Sequence, residues 1–309
     1  MPVHAFSQPK GRLEFFQTDA HALLDNLLGD PTARTVGVYV PQACREGERY
    51  PLLIDLAGFT GSGLSHLAWK GFGETVPQRV DRLMMQGHLA PAVYVFPDCF
   101  TSLGGNQYVD SIAMGHWARW LHEVLVPGVE ARYPVITEPG GRGLFGKSSG
   151  GYGALHQALH HGEHWGAVVC HSGDMDFELC YGREFPEVLL ALTQSGLSIS
   201  GYIERLHRRR RIGGGEMHVL MTFAMAASYD PDPDAPFGVR LPVDLQTCER
   251  DDDRWAAWQS FDPIVGLEAI AAQENLRGLK GLFLDCGLRD QYHLLYGARK
   301  FSARCEALN

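Results

Sequence analysis

The chain has 309 residues, 45% hydrophobic and 20% charged, with a formal net charge of −9. That length suffices for one large core, and the acidic balance argues against a nucleic-acid binder, which presents a basic face. No uninterrupted apolar run approaches the roughly 18 residues of a membrane span, and seven scattered cysteines without C-x-x-C spacing fit reduced thiols in a cytoplasmic chain.

In chain order, residues 1–12 contain no apolar h-region or cleavage pattern, so no secretory signal is expected. Residues 11–18 and 34–40 read as strands. The second alternates like a half-exposed antiparallel edge and stops at Pro41. Tyr50-Pro51-Leu52-Leu53-Ile54-Asp55-Leu56 has the apolar continuity of a buried parallel strand. It opens into Ala57-Gly58-Phe59-Thr60-Gly61-Ser62-Gly63, a loop of small residues whose backbone N–H groups could face a developing oxyanion. A helix over 76–86 and a strand over 92–98 follow. The next loop, 99–108, carries Gly104, Gly105, Asn106 and Gln107. It reads equally well as a wall of a ligand crevice and as ordinary turn chemistry. Trp117, Trp120, Leu121, Val124, Leu125 and Val129 show helical spacing, which predicts an amphipathic helix over 113–131 with its aromatic residues in the core.

The most informative stretch is Gly143-Leu144-Phe145-Gly146-Lys147-Ser148-Ser149-Gly150-Gly151-Tyr152-Gly153-Ala154. An apolar strand enters a G-x-S-x-G sequence, and small residues lead out of it into a helix. This is the strand–turn–helix context of a nucleophile elbow, where a serine sits on a sharp turn between residues small enough to admit backbone and substrate. Residues 166–174 form the following strand and its C-terminal loop.

Residues 175–262 break the strand–helix rhythm and read as a cap inserted in a single domain, 1–309. Within them the basic run 208–211 reads as a solvated helix end. The spacing of Asp230, Asp232 and Asp234 resembles a calcium loop but lacks its glycine and later glutamate, so a plain loop is expected. His160, His161 and His164 read as a solvated helix end, not a metal site. The framework resumes with a buried strand over 279–287, the loop Leu288-Arg289-Asp290-Gln291-Tyr292-His293 and a helix through Leu308. Strands alternating with helices imply an α/β class with a mostly parallel central sheet flanked by helices.

Ser148 and a later aspartate stand in the order Ser…Asp…His of elbow hydrolases. Asp290, in the loop past its strand, is favoured as the acid over Asp285, which lies within the strand. On these motifs the chain resembles the Esterase family of α/β-hydrolases, the group that contains esterase D and S-formylglutathione hydrolase. Phe145-Gly146-Lys147-Ser148-Ser149-Gly150-Gly151-Tyr152-Gly153 resembles its elbow. Leu56-Ala57-Gly58-Phe59-Thr60-Gly61 resembles its oxyanion loop, with Ala57 where relatives often carry histidine. The resemblance implies an α/β-hydrolase fold, Ser148 as nucleophile, Asp290 as acid, and the N–H groups of Phe59 and Ser149 as oxyanion donors. It also implies a catalytic histidine one strand after the acid. That strand and histidine are expected to be absent here, leaving Leu282 and Phe283 on an exposed apolar edge where chains could self-pair. His171 and His293 are the internal substitutes, each more commonly a structural residue. The reading is a serine carboxylesterase for small or medium acyl esters, needing no cofactor. The alternatives are a non-catalytic binding module, because of the absent histidine, and an acyltransferase.

Overall fold

The computed structural model describes residues 6, 9–19 and 21–308; the reading that residues 1–12 hold no secretory signal falls mostly outside them. Among the described residues, no helix is long and apolar enough to cross a membrane.

The elements alternate as the apolar runs predict. Strands β1 (Arg12–Thr18), β2 (Arg34–Val40) and β3 (Leu52–Leu56) precede helix α1 (Val76–Met85). Thr75 and Gln78 close a capping box at its start, satisfying backbone donors that the first turn leaves unpaired. Strand β4 (Val93–Pro97) is followed by a small hairpin of β5 (Asp110–Ser111) and β6 (Gly115–His116). Next come α2 (Trp117–Trp120), a π-helical turn (Leu121–Leu125) and α3 (Val126–Glu130). Strand β7 (Arg142–Lys147), α4 (Ser149–His160) and β8 (Ala167–His171) form the centre. Five helices then run without a sheet strand: α5 (Phe177–Cys180), α6 (Phe185–Ser195), α7 (Ile199–His207), α8 (Gly214–Tyr229) and α9 (Asp252–Gln259). The chain continues through α10 (Pro263–Gly266), α11 (Ile270–Gly278), β9 (Gly281–Asp285) and α12 (Leu294–Ala307).

The sheet order is β1-β2-β4-β3-β7-β8-β9. β1 and β2 are antiparallel to their neighbours, and β4, β3, β7, β8 and β9 run parallel. This is the mostly parallel, helix-flanked sheet of an α/β-hydrolase. The central strands are buried on both faces, as parallel strands under helices must be. β9 is the exception: it ends the sheet, with Leu282 39% and Phe283 51% exposed.

Two expectations need correction. β2 is no edge strand but lies between β1 and β4, largely buried. Its alternation was misleading because Gly37 marks packing, not exposure: a Cβ there would meet Leu67 Cδ1 at 2.7 Å. The helix expected over 113–131 starts only at Trp117, after the hairpin, and carries a π turn in its middle. Pro127 has no N–H to return to the preceding turn, and Val126 N–H bonds to Leu121 O, five residues back.

Candidate active site

β7 delivers the chain to Ser148 between two parallel neighbours, with Gly146 paired to Leu56 and Lys147 to His171. Ser148 has φ +56° and ψ −127°, a conformation strained for a residue with a Cβ. Two backbone bonds hold it: its N–H donates to His171 O at 2.9 Å, and its carbonyl accepts from Tyr152 N–H at 2.8 Å. The glycines are required by contact. A Cβ on Gly150 would lie 1.8 Å from Leu56 O, and one on Gly146 would lie 2.4 Å from Gly150 C. The G-x-S-x-G sequence therefore lets α4 begin directly against β3, with Ser149 as its first residue.

The loop after β3 passes over this turn, so closely that a Cβ on Gly58 would meet Lys147 O at 2.9 Å. Thr60, at φ +66°, donates its N–H to Gly104 O at 2.6 Å. Among the described residues, no acceptor is paired with the Phe59 N–H. The loop after β4 braces both sides of the site. Tyr108 Oη donates to Ala57 O at 2.6 Å, Gln107 Nε2 donates to Ser149 Oγ at 2.9 Å, and Gly105 packs under the Phe59 ring. The 99–108 loop is thus a support of the site as well as a turn.

Above Ser148 lies a cleft of about 160 Å³, walled by Phe59 and Thr60, by Asp174 and Tyr181 after β8, by Met217, His218 and Met221 of α8, and by Tyr292. Asp174 is buried, accepting from Tyr181 Oη at 2.8 Å and more weakly from Gln107 Nε2 at 3.4 Å. Burial pushes its carboxyl up to about 6; the bonds from Tyr181 and Gln107 oppose the rise, and the charge of Asp290 adds to it. His218 stacks on Tyr292 with ring centres 5.5 Å apart, and its Nδ1 lies 3.4 Å from Glu184 Oε2.

The structure brings Ser148 and Phe59 into one cleft, with Ser149 directly behind. Asp290 sits beside that cleft but is engaged locally: its Oδ1 accepts from Tyr292 N–H at 3.0 Å and Leu294 N–H at 3.2 Å, holding the turn into α12. His171 is paired through Nδ1 with Asp285 Oδ1 of the adjacent strand at 2.8 Å. His293, at φ +63°, packs near Tyr296. Among the described residues, no histidine ring hydrogen-bonds the side chain of Ser148 or Asp290; His171 and His293 meet them only through the backbone. Asp230 and Asp232 pair with Arg254, and Asp232 also with Arg240, so the aspartate loop is tied by arginines. No group of three metal-ligating side chains occurs among the described residues.

Sequence reading missed Asp174, Tyr181, Met217, His218 and Met221. Asp174 could have been found, since it follows the C-terminal end of the strand next to the elbow, where ligands bind in such sheets. The α8 residues carried no signal, because only tertiary packing lays that helix over Ser148.

No curated protein matches this sequence. Among solved structures, a ferulic acid esterase aligns over 97% of this chain and 86% of its own, at 16% identity and a TM-score of 0.59. The S-formylglutathione hydrolase of Staphylococcus aureus aligns over 97% of this chain and 87% of its own, at 13% identity and a TM-score of 0.50. At such identities these likenesses speak for the fold alone. The family described as "Putative esterase" matches residues 31–293, most of the length and the whole of the elbow, so the chain belongs to that esterase family.

Proposed function

We propose that the protein is a serine carboxylesterase acting on small or medium acyl esters through a Ser148 acyl-enzyme. The single observation that carries this reading is the strained Ser148 turn opening into the cleft beneath the Phe59 loop. Ser148 Oγ would attack the ester carbonyl while the N–H groups of Phe59 and Ser149 receive the oxyanion; the ester C–O bond would break, the alcohol leaving with the serine proton passed on by the base, and water would then cleave the acyl-enzyme to the free acid and Ser148. Such preorganised donors are each worth about 3 kcal/mol of barrier in acyl transfer. Asp290 is the proposed acid: its turn bonds engage Oδ1, and Oδ2 would orient the histidine that serves as base. Residues 175–262 act as a cap whose α8 sets the shape of the cleft.

The test is hydrolysis of 4-nitrophenyl acetate and butyrate beside a Ser148→Ala control. Turnover that vanishes in the control supports the reading, and His171→Gln, His293→Gln and His218→Gln then locate the proton acceptor. Turnover that survives Ser148→Ala sinks it.

A second reading rests on the observation that, among the described residues, no histidine ring bonds the side chain of Ser148 or Asp290. In that reading the cleft binds esters without turning them over. Rapid labelling of Ser148 by a fluorophosphonate, well above the rate for free serine, would refute it. Acyl transfer to an alcohol or thiol shares the elbow chemistry and is separated by adding acceptors to the same assay.

A further inference from the structure

The buried carboxylates of this fold are almost all provided for. Asp55 is paired with His66, Asp176 with Lys300, and Glu184 with Arg183 and His218. Asp262 accepts from three backbone N–H groups, those of Asp176, Phe177 and Ile264. Asp174 differs. Its hydrogen-bond partners, Tyr181, Gln107 and Ser149, are all neutral, and no lysine, arginine or histidine lies within ion-pair distance of it among the described residues. Burying an acid without a counter-charge is costly unless something compensates it.

What sets Asp174 apart is its place: it lines the cleft of Ser148. The polar floor around it is short of donors, since Gln107 spends its amide hydrogens on Ser149, Asp174 and Met225 while its own buried Oε1 has no partner. The walls above include the rings of Phe59, Tyr181 and Tyr292 and the thioethers of Met217 and Met221, surfaces that favour a cation, while the His218 ring among them already faces Glu184. Asp290 adds a second negative charge near Asp174.

Resting on the reading of Ser148 as nucleophile, we propose that this cleft selects esters carrying a primary ammonium group, which Asp174 receives while the ester carbonyl lies at Ser148. A hydroxyl would supply one hydrogen bond but leave the acid without its counter-charge. An ammonium supplies both, in surroundings where a charge-assisted bond is stronger than in water. No step of the ester hydrolysis changes; Asp174 is a specificity residue.

The experiment compares 4-nitrophenyl 6-aminohexanoate with 4-nitrophenyl heptanoate, acyl chains of equal heavy-atom count, in the full chain and in Asp174→Asn. The expected kcat/KM ratio favours the ammonium ester by about tenfold or more, the scale of one charge-assisted bond, and collapses in Asp174→Asn. A wild-type ratio at or below unity overturns the proposal, as does a ratio that Asp174→Asn leaves unchanged. The wild-type ratio needs no variant, so a misfolded Asp174→Asn still leaves the proposal refutable. If neither ester is turned over by folded protein, the nucleophile reading has failed and binding decides this one. Calorimetry with hexylammonium and hexan-1-ol then gives a tenfold preference for the amine that Asp174→Asn removes, or equal or undetectable binding, which refutes it.

Discussion

The histidines beside α4 should make the protein acid-labile, and His122 is where the effect can be worked through. His122 packs between His161 and His164, with ring centres 4.7 and 4.2 Å away, and hydrogen-bonds through Nε2 to Gln157 Oε1. Burial, then the neighbouring histidine charges, push its pKa down to about 3. The folded state therefore holds His122 neutral where the unfolded chain protonates it near 6.5. Between these values the unfolded state binds more protons, so the stability present above pH 6.5 is lost as pH falls towards 3. At pH 5 the loss relative to pH 7 is about 1–2 kcal/mol from this residue, after discounting for its partial exposure. Against a typical total of about 5–15 kcal/mol that is readily measured. The perturbation is His122→Gln, which removes the titration but keeps an amide that can donate to Gln157. Urea unfolding followed by circular dichroism at pH 7 and pH 5 should show the wild type losing about 1–2 kcal/mol more than the variant on acidification. The same loss in both proteins would refute the argument. His156, His160 and His161, also held low mainly by burial, should keep the remaining slope in the same direction.

Two further outcomes are expected. Gly150→Ala should destabilise the fold by about 3 kcal/mol, because its Cβ would lie 1.8 Å from Leu56 O and must push α4 off β3; an unchanged urea midpoint would show that the elbow yields more easily than its geometry implies. Self-association through β9 is proposed from its exposed Leu282 and Phe283. Light scattering should detect concentration-dependent dimers that Phe283→Lys weakens, and a strict monomer at high concentration would remove the proposal.

The strand–helix order was legible because buried parallel strands are written as short apolar runs, and 52–56, 93–97 and 142–147 each show one. The elbow was legible for a different reason. Its glycines answer to close contacts with Leu56 of the neighbouring strand and with each other, so their spacing is a record of geometry. Errors arose where neighbours not visible in the local pattern decide. β2 looked like an edge because a glycine that makes room for Leu67 is indistinguishable in sequence from one facing water. The π turn before Pro127 followed from a missing N–H whose cost a helical pattern does not register.

The sequence by itself thus determined the class of fold, the position of Ser148 and the small-residue loop over it, because each is written as a contiguous run of residue types, even where the contact that requires it comes from a distant strand. The tertiary structure decided what surrounds the serine. Asp174 became a buried acid with neutral partners only when Tyr181 and Gln107 closed on it from separate loops. Met217, His218 and Met221 became cleft walls only when α8 was laid over the Ser148 turn. Burial and charge pairing are properties of contacts made across 42 to 118 positions of chain, as the Gln107 bonds to Ser149 and Met225 show, and no local pattern of residue types encodes them.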